Sequence, residues 1–233
     1  MTRVFRLAWT VTTLILVEVV VCALAVLPVA AAWSVFLVHT PSAPILRAIV
    51  ISLAAVPSYV AVALLVMPLS AAAARLTGWR TTPGLELRIA DFEWPLLDWA
   101  RYAAMNHVVG LIAGGLFRGS PVWSWYLRLD GARVGKHVFV NSLAVADHNL
   151  LDLADGVVIG ADAHVSGHTV EAGIVKTAGV RLGSNVTVGI GAVVDIDVEA
   201  GDGCQIGALA FVPKHTRLAP NAVYAGVPAR RIE

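Results

Sequence analysis

Seven residues spaced six positions apart constrain the fold of this chain more than any other feature. The series is Leu182, Val188, Val194, Ala200, Ile206, Val212 and Leu218. A period of six matches neither an α-helix, at 3.6 residues per turn, nor a simple strand, at two. It is typical of a solenoid in which three hexapeptides form one triangular coil of about 18 residues, each pointing one aliphatic side chain inward. The spacing therefore predicts a left-handed parallel β-helix.

The excess of apolar residues is concentrated in the first third of the chain. The 233 residues are 58% hydrophobic and 14% charged, against about 45–50% and about 25% in a typical soluble domain. Residues 14–38 and 45–74 form two apolar runs separated by a short turn, and each exceeds the ~20 residues that a membrane span needs. The sequence therefore predicts a two-span α-helical hairpin as a membrane anchor over residues 1–78.

Most basic residues near this hairpin lie on the side of its two ends. Arg3 and Arg6 precede the first apolar run, and Arg75, Arg80 and Arg88 follow the second. The connecting turn has none, although Arg47 lies just after it. The positive-inside rule then places both termini and the C-terminal domain in the cytoplasm, with the anchor in the inner or plasma membrane. The net charge of +1 gives no indication of nucleic-acid binding.

Aromatic residues are frequent in the segment that follows, residues 79–128. They include Trp94, Trp99, Tyr102, Trp123, Trp125 and Tyr126. Tryptophan and tyrosine concentrate at membrane interfaces. We predict an amphipathic interfacial linker, with a helix over residues 95–109 lying on the bilayer and an apolar piece over 108–117 that dips into it or packs on the anchor. An ordinary packed subdomain is the alternative.

The solenoid is predicted over residues 129–233, and two segments interrupt its period. Residues 143–151 contain Asp147-His148-Asn149, and residues 167–180 contain His168 and Glu171. Chemistry is often found on loops that leave a rigid scaffold. Both interruptions are therefore candidate positions for an active site.

From about Gly119 onward the chain resembles the condensing units of Pls/PosA-type nonribosomal peptide synthetases, such as ε-poly-lysine synthetase. The resemblance lies in residues 118–121 and 125–135, and in a His-x-x-Glu-x-x-x-x-Lys pattern at His168, Glu171 and Lys176. It implies transfer of an acyl or aminoacyl group from a thioester to an amine or hydroxyl, with peptide (amide) bond formation as one form of this reaction. The donor is expected to be coenzyme A or the phosphopantetheine of a separate carrier protein, loaded by a separate adenylating enzyme.

The C-terminal residues 225–232 resemble the Gly-x-Pro-Ala-basic-x-Ile tail of hexapeptide-repeat acyltransferases, including serine acetyltransferases. One interpretation is a cap that prevents the coils of separate molecules from stacking end to end. In the other, Arg230 or Arg231 contacts a phosphate of the donor.

Acyl transfer needs a base, and a histidine suits this role because its pKa is near neutral. His168 is the candidate base, Glu171 is the candidate that orients it, and Lys176 is a candidate contact for the acceptor or the donor phosphate. His148 is the rival base. Small residues would let a thioester approach closely between coils. These candidate donor-binding residues are Gly189, Gly191, Ala192 and Ala208.

Solenoid acyltransferases of this kind are typically trimers, so the resemblance implies a homotrimer with sites at subunit interfaces and a membrane lipid environment. Two other functions remain open. One is a non-catalytic trimeric membrane scaffold. The other is a γ-class carbonic anhydrase, whose zinc would need three histidines such as His137, His164 and His168. The acyltransferase interpretation expects no metal.

Overall fold

The computed structural model describes residues 2–232 and begins with a hairpin of two long helices. Helix α1 spans Arg3–Val38 and helix α2 spans Pro44–Thr77. Proline at the first position of α2 suits a helix start, and Gly78 ends it in the left-handed conformation. Both helices are long and apolar enough to cross a membrane. Each predicted apolar run is thus confirmed as one continuous helix.

Short helices follow the hairpin and pack against it. In chain order the elements are β1 (Glu86–Arg88), a 3₁₀ turn (Ile89–Asp91), α3 (Trp94–Val109), a π-helical segment (Gly110–Gly114), α4 (Gly115–Phe117) and α5 (Pro121–Leu129). Arg101 on α3 donates from Nη2 to Oγ1 of Thr10 on α1 at 3.1 Å. Arg3, the first residue of α1, forms an ion pair at 2.9 Å with Asp91, which lies just before α3.

The helix predicted over residues 95–109 is present as α3, and it packs against α1 and α2. Tyr102 and Met105 on α3 are buried against Trp79 and Ala74 at the end of the hairpin. The apolar piece that follows also packs on the hairpin, where Tyr59 of α2 donates to the carbonyl of Ile112. The position of α3 on the surface of a bilayer stays a prediction.

The C-terminal half is a three-sided parallel β-helix. The first side consists of β2 (Arg133–Val134), β5 (Leu151–Leu153), β10 (Val180–Leu182), β13 (Glu199–Ala200) and β16 (Arg217–Leu218). The second consists of β3 (Phe139–Val140), β6 (Val158–Ile159), β11 (Thr187–Val188), β14 (Gln205–Ile206), β17 (Val223–Ala225) and β18 (Arg230–Arg231). The third consists of β4 (Val145–Ala146), β7 (His164–Ser166), β12 (Val193–Val194) and β15 (Phe211–Val212).

The strand register confirms the coil length that the sequence predicts. Arg181 pairs with Glu199, and Glu199 pairs with Arg217, so consecutive coils are offset by 18 residues. All seven residues of the six-residue series lie on strands and are at most 5% exposed. Their aliphatic side chains fill the interior of the triangular coil, where burial of apolar surface stabilises the stack.

The two interruptions and the two ends of the solenoid have defined structures. The first interruption holds a 3₁₀ turn (His148–Leu150), and the second is a β-hairpin of β8 (His168–Glu171) and β9 (Ile174–Thr177). Strand β1 pairs with β9 and makes this hairpin a three-stranded sheet. Helix α5 covers the first coil, and β18 folds back antiparallel on β17 at the last one.

Candidate active site

The two interruptions of the solenoid meet at one corner, and they bring together His168 and Asp147. Nδ1 of His168 lies 2.5 Å from Oδ2 of Asp147. Asp147 directly follows β4 in the first coil, whereas His168 begins the hairpin that follows β7 in the second coil. Gly167 permits this approach, because a Cβ there would lie 2.9 Å from the Cβ of Asp147.

Asp147 is fixed by residues from the segment between the anchor and the solenoid. Its Oδ1 accepts a hydrogen bond from Thr81 Oγ1 at 2.7 Å and another from Trp99 Nε1 at 3.0 Å. The edge of the Trp99 ring also contacts the His168 ring, with centroids 4.9 Å apart. Ser166 fixes the backbone of His168, donating to its carbonyl at 2.9 Å. The carboxylate and imidazole are therefore held in one relative orientation.

The electrostatics of the pair favour a protonated imidazole beside an ionised carboxylate. Burial acts to lower the pKa of His168, but the hydrogen bond and charge of Asp147, with the charge of Asp195, outweigh it and raise that pKa. Burial likewise acts to raise the pKa of Asp147, but the hydrogen bond and charge of His168 and the bonds from Thr81 and Trp99 lower it. The Asp147 side chain is 2% exposed and that of His168 is 25% exposed, so the imidazole is the accessible member.

A cavity of about 530 Å³ opens beside this pair. His168 and Asp147 line it on the solenoid side, and residues of α3 and the π-helical segment, including Asn106 and His107, line it on the helical side. Nδ1 of His168 is occupied by Asp147, and among residues 2–232 no protein atom forms a hydrogen bond with its Nε2. A neutral His168 that donates from Nδ1 therefore keeps a lone pair on Nε2 that can accept a proton from a bound molecule.

His148, the rival candidate base, also lines the cavity, but both of its nitrogens are occupied. Nδ1 lies 2.7 Å from Oδ2 of Asp130, and Nε2 lies 3.0 Å from the carbonyl oxygen of Val145. The same carboxylate oxygen accepts a hydrogen bond from the hydroxyl of Tyr102 at 2.7 Å. The His148 side chain is buried in this network, so the geometry favours a structural role for it.

Glu171, the predicted partner of His168, lies away from it. The two residues are three positions apart on β8, and side chains on a strand alternate between faces, so an odd separation directs them to opposite sides. Glu171 forms ion pairs with Lys214 and Lys176, and Lys176 also pairs with Glu86 at 3.6 Å. The hydrogen bond with Lys214 is the largest influence on the pKa of Glu171, which is lowered. The predicted Glu171 and Lys176 therefore form a charged cluster on the hairpin.

The four small residues predicted to bind the donor lie at the same corner of two successive coils of the solenoid, outside the 530 Å³ cavity. At Gly189 an added Cβ would lie 2.5 Å from the backbone nitrogen of Ala208 in the next coil. A side chain at that position is therefore incompatible with the spacing of the coils. Gly191 follows in the same turn, and Ala192 is fully buried.

The two arginines of the tail, Arg230 and Arg231, are exposed on β18 at the end of the solenoid. They also lie outside the cavity. Over residues 2–232, no group of three or more histidine, cysteine, aspartate or glutamate side chains is arranged to hold a metal ion. His137, His164 and His168 are not assembled into such a group within one chain.

Sequence reasoning did not identify Asp147, Trp99 and Thr81 as members of this site. The sequence feature that could have identified Asp147 as a site residue is its position in the first interruption, beside His148. Nothing in the pattern pointed to Thr81 or Trp99, because their contact with Asp147 depends on how the segment after α2 packs against the first coil.

Comparison with known proteins places the chain beside acyltransferases. No protein-family model matches it. It is 32% identical over 130 residues to a UDP-3-O-acylglucosamine N-acyltransferase of Delftia acidovorans, covering 52% of this chain and 38% of that protein. It is 27% identical over 150 residues to a delta-poly-L-ornithine synthetase of Acinetobacter baumannii, covering 64% of this chain and 11% of that protein. The chain thus matches well under half the length of either relative.

Solved structures with a similar fold include a maltose O-acetyltransferase from Clostridium difficile, with a TM-score of 0.46, 20% identity and coverage of 64% of this chain and 92% of that one. A galactoside acetyltransferase in complex with coenzyme A has a TM-score of 0.42 and 21% identity, with coverage of 58% of this chain and 81% of that one. The Delftia relative and these structural neighbours are acyltransferases by name, and solved structures of similar fold also include a hexapeptide-repeat-containing acetyltransferase from Vibrio cholerae.

Proposed function

We propose that this protein is a membrane-anchored acyltransferase that moves an acyl or aminoacyl group from a thioester to an amine or hydroxyl. The observation that carries the proposal is the His168–Asp147 pair beside a cavity, with Nε2 of the imidazole unoccupied. The acyltransferase relatives support the same reaction class. The two long apolar helices support the anchor.

The reaction follows from the chemistry of the pair. Nε2 of His168 takes a proton from the amine or hydroxyl as this nucleophile attacks the thioester carbonyl. The new C–N or C–O bond forms, the C–S bond breaks, and the proton returns to the sulfur, so that a thiol leaves. Asp147 holds the imidazole in the tautomer with hydrogen on Nδ1 and stabilises the imidazolium that forms, as a carboxylate does in a catalytic triad.

The donor we propose is an acyl thioester of coenzyme A. The alternative donor is the same kind of thioester on the phosphopantetheine of a carrier protein. A galactoside acetyltransferase of similar fold is solved with coenzyme A. The delta-poly-L-ornithine synthetase is a relative whose name specifies a poly-amino acid, and this supports an amine as acceptor and an amide as product. A homotrimer is the assembly we expect, and light scattering of the detergent-solubilised protein measures it.

The test is thioester turnover by the purified full-length protein in detergent. Acetyl-CoA is the donor probe, hydroxylamine is the acceptor probe, and free thiol is the readout. We expect His168→Ala to lower the rate by about 10²–10⁴-fold, the usual contribution of a general base. His215→Ala is the matched control, because it removes an exposed His–Asp pair of similar geometry, with Nδ1 2.8 Å from Asp197. Equal turnover by His168→Ala and wild type would exclude His168 as the base, whereas no turnover by an intact wild-type trimer would support the scaffold function instead.

A further inference from the structure

The cavity beside His168 has a roof, residues 110–118, that combines a π-helical turn, apolar side chains and one arginine. Gly110, Leu111 and Arg118 of this roof line the cavity. Leu111 is 70% exposed and Leu116 is 44% exposed. π-helical segments are rare and are frequent at functional sites. The roof therefore presents apolar side chains outward at the opening of a cavity that both polar and apolar residues line.

Two hydrogen bonds fix the position of the roof along the axis of α2. Tyr59 of α2 donates to the carbonyl of Ile112 in the roof at 2.7 Å. Arg75, near the other end of α2, donates to the carbonyl of Leu129 at the end of α5 at 2.5 Å. At 1.5 Å rise per residue, these two positions on α2 are roughly 24 Å apart. The roof is thus the edge of the folded body that lies nearest the tip of the hairpin.

Beyond the roof, on the side of the hairpin tip, residues 44–58 of α2 are exposed or half-buried. This stretch is roughly 22 Å long at 1.5 Å per residue, which is most of the ~30 Å thickness of the hydrocarbon core of a bilayer. With this stretch in the bilayer, the roof and the opening of the cavity lie at the membrane surface.

Inside the cavity one buried donor lacks an acceptor. Trp123 lines the cavity and is 3% exposed, and its Nε1 has no hydrogen-bond partner within residues 2–232. An unpaired buried N–H costs free energy unless a ligand or water accepts from it. At the opening, the Arg118 side chain forms a 3.6 Å ion pair with Asp162, an exposed residue that also lines the cavity. These groups suit a ligand with hydrogen-bond acceptors and a negative charge.

We propose that the acceptor of acyl transfer is carried by a membrane lipid, whose polar headgroup passes the roof to reach His168 while its phosphate lies against Arg118. The inference rests on the proposed acyltransferase function. The reacting amine or hydroxyl belongs to the headgroup, and the bonds formed and broken are those given above. The apolar side chains of the roof contact the bilayer from which the lipid enters.

The test uses the full-length protein in phosphatidylcholine liposomes that also contain phosphatidylethanolamine or phosphatidylglycerol, with acetyl-CoA as donor. Mass spectrometry measures acetylated lipid, and acetylated hydroxylamine is measured in a parallel assay. We expect acetylated lipid, and a several-fold fall in the ratio of lipid to soluble product for Leu111→Glu and for Arg118→Ala. Leu76→Glu is the matched control, since Leu76 is 88% exposed at the opposite end of the body.

The outcomes separate the inference from the function on which it rests. Acetylation of hydroxylamine without acetylation of either lipid would overturn the lipid acceptor and leave the acyltransferase intact. Equal ratios for Leu111→Glu, Arg118→Ala and Leu76→Glu would overturn the role of the roof. Absence of thioester turnover with every acceptor would overturn both proposals.

Discussion

Nδ1 of His168 lies 2.5 Å from Oδ2 of Asp147, although 21 positions separate the two residues in the chain. Each residue belongs to a different interruption of the hexapeptide period, and stacking of the first two coils brings the interruptions to the same corner. The carboxylate is buried and held by Thr81 and Trp99. The imidazole lines a cavity. This arrangement gives the pair separate roles, one residue orienting and the other exchanging a proton.

Replacement of Asp147 by asparagine is expected to lower kcat by about 10²-fold or more, because the amide keeps the size of the side chain but loses the charge that stabilises the imidazolium. The measurement is initial-rate kinetics with acetyl-CoA and hydroxylamine. Asp197→Asn is the matched control, since Asp197 forms the equivalent pair with the exposed His215. Similar kcat values for the two variants would show that Asp147 does not support the base.

The pH dependence of kcat/KM is expected to report the titration of His168. A base acts when it is unprotonated, so activity rises with pH through the pKa of His168, which Asp147 holds above its usual value of about 6.5. In Asp147→Asn the carboxylate charge is absent while burial still acts to lower that pKa. We therefore expect the midpoint to move to lower pH. A midpoint that is the same in both proteins would assign the titration to another group.

Replacement of Glu171 by glutamine is expected to change neither kcat nor the pH midpoint appreciably. Glu171 interacts with Lys176 on the hairpin and with Lys214, which follows β15, and its side chain points away from His168. Exposed ion pairs of this kind contribute little to stability. If Glu171→Gln lowered kcat as strongly as Asp147→Asn, the hairpin would have to adopt a different position during the reaction.

Replacement of His148 by alanine is expected to reduce the free energy of unfolding by about 1–3 kcal/mol, because it leaves buried polar atoms of Asp130 and Val145 without their partner. Denaturant unfolding of the full-length protein in detergent measures this. The fall of kcat/KM at low pH should persist in His148→Ala and disappear in His168→Ala. The opposite result would make His148 the base.

Replacement of Gly189 by alanine tests whether this glycine has a structural role. An added Cβ would lie 2.5 Å from the backbone nitrogen of Ala208, so we expect a clear loss of thermal stability. Gly115→Ala is the matched control, because Gly115 is helical and its added Cβ meets no atom within 4 Å. A stable Gly189→Ala protein with a raised KM for acetyl-CoA would instead indicate direct contact with the donor.

The repeat and the two helices could be predicted from the sequence, because each rests on local periodicity. Every sixth residue from Leu182 to Leu218 faces the interior, which follows directly from one inward position per side of the coil. Helices α1 and α2 follow from two long, predominantly apolar runs. The contacts of α3 with α1 and α2 could not be predicted, because its pattern of apolar residues does not specify which surface it packs against.

What the sequence by itself determined is the solenoid, the helical hairpin and the choice of His168 as a candidate base. Tertiary structure alone decided which carboxylate pairs with that histidine. The spacing His-x-x-Glu favoured Glu171, but on a strand that spacing separates the two side chains, whereas coil stacking brings Asp147 within hydrogen-bond distance. The physical reason is that periodicity reports which way a residue faces along one element, whereas a site forms where separate elements pack together.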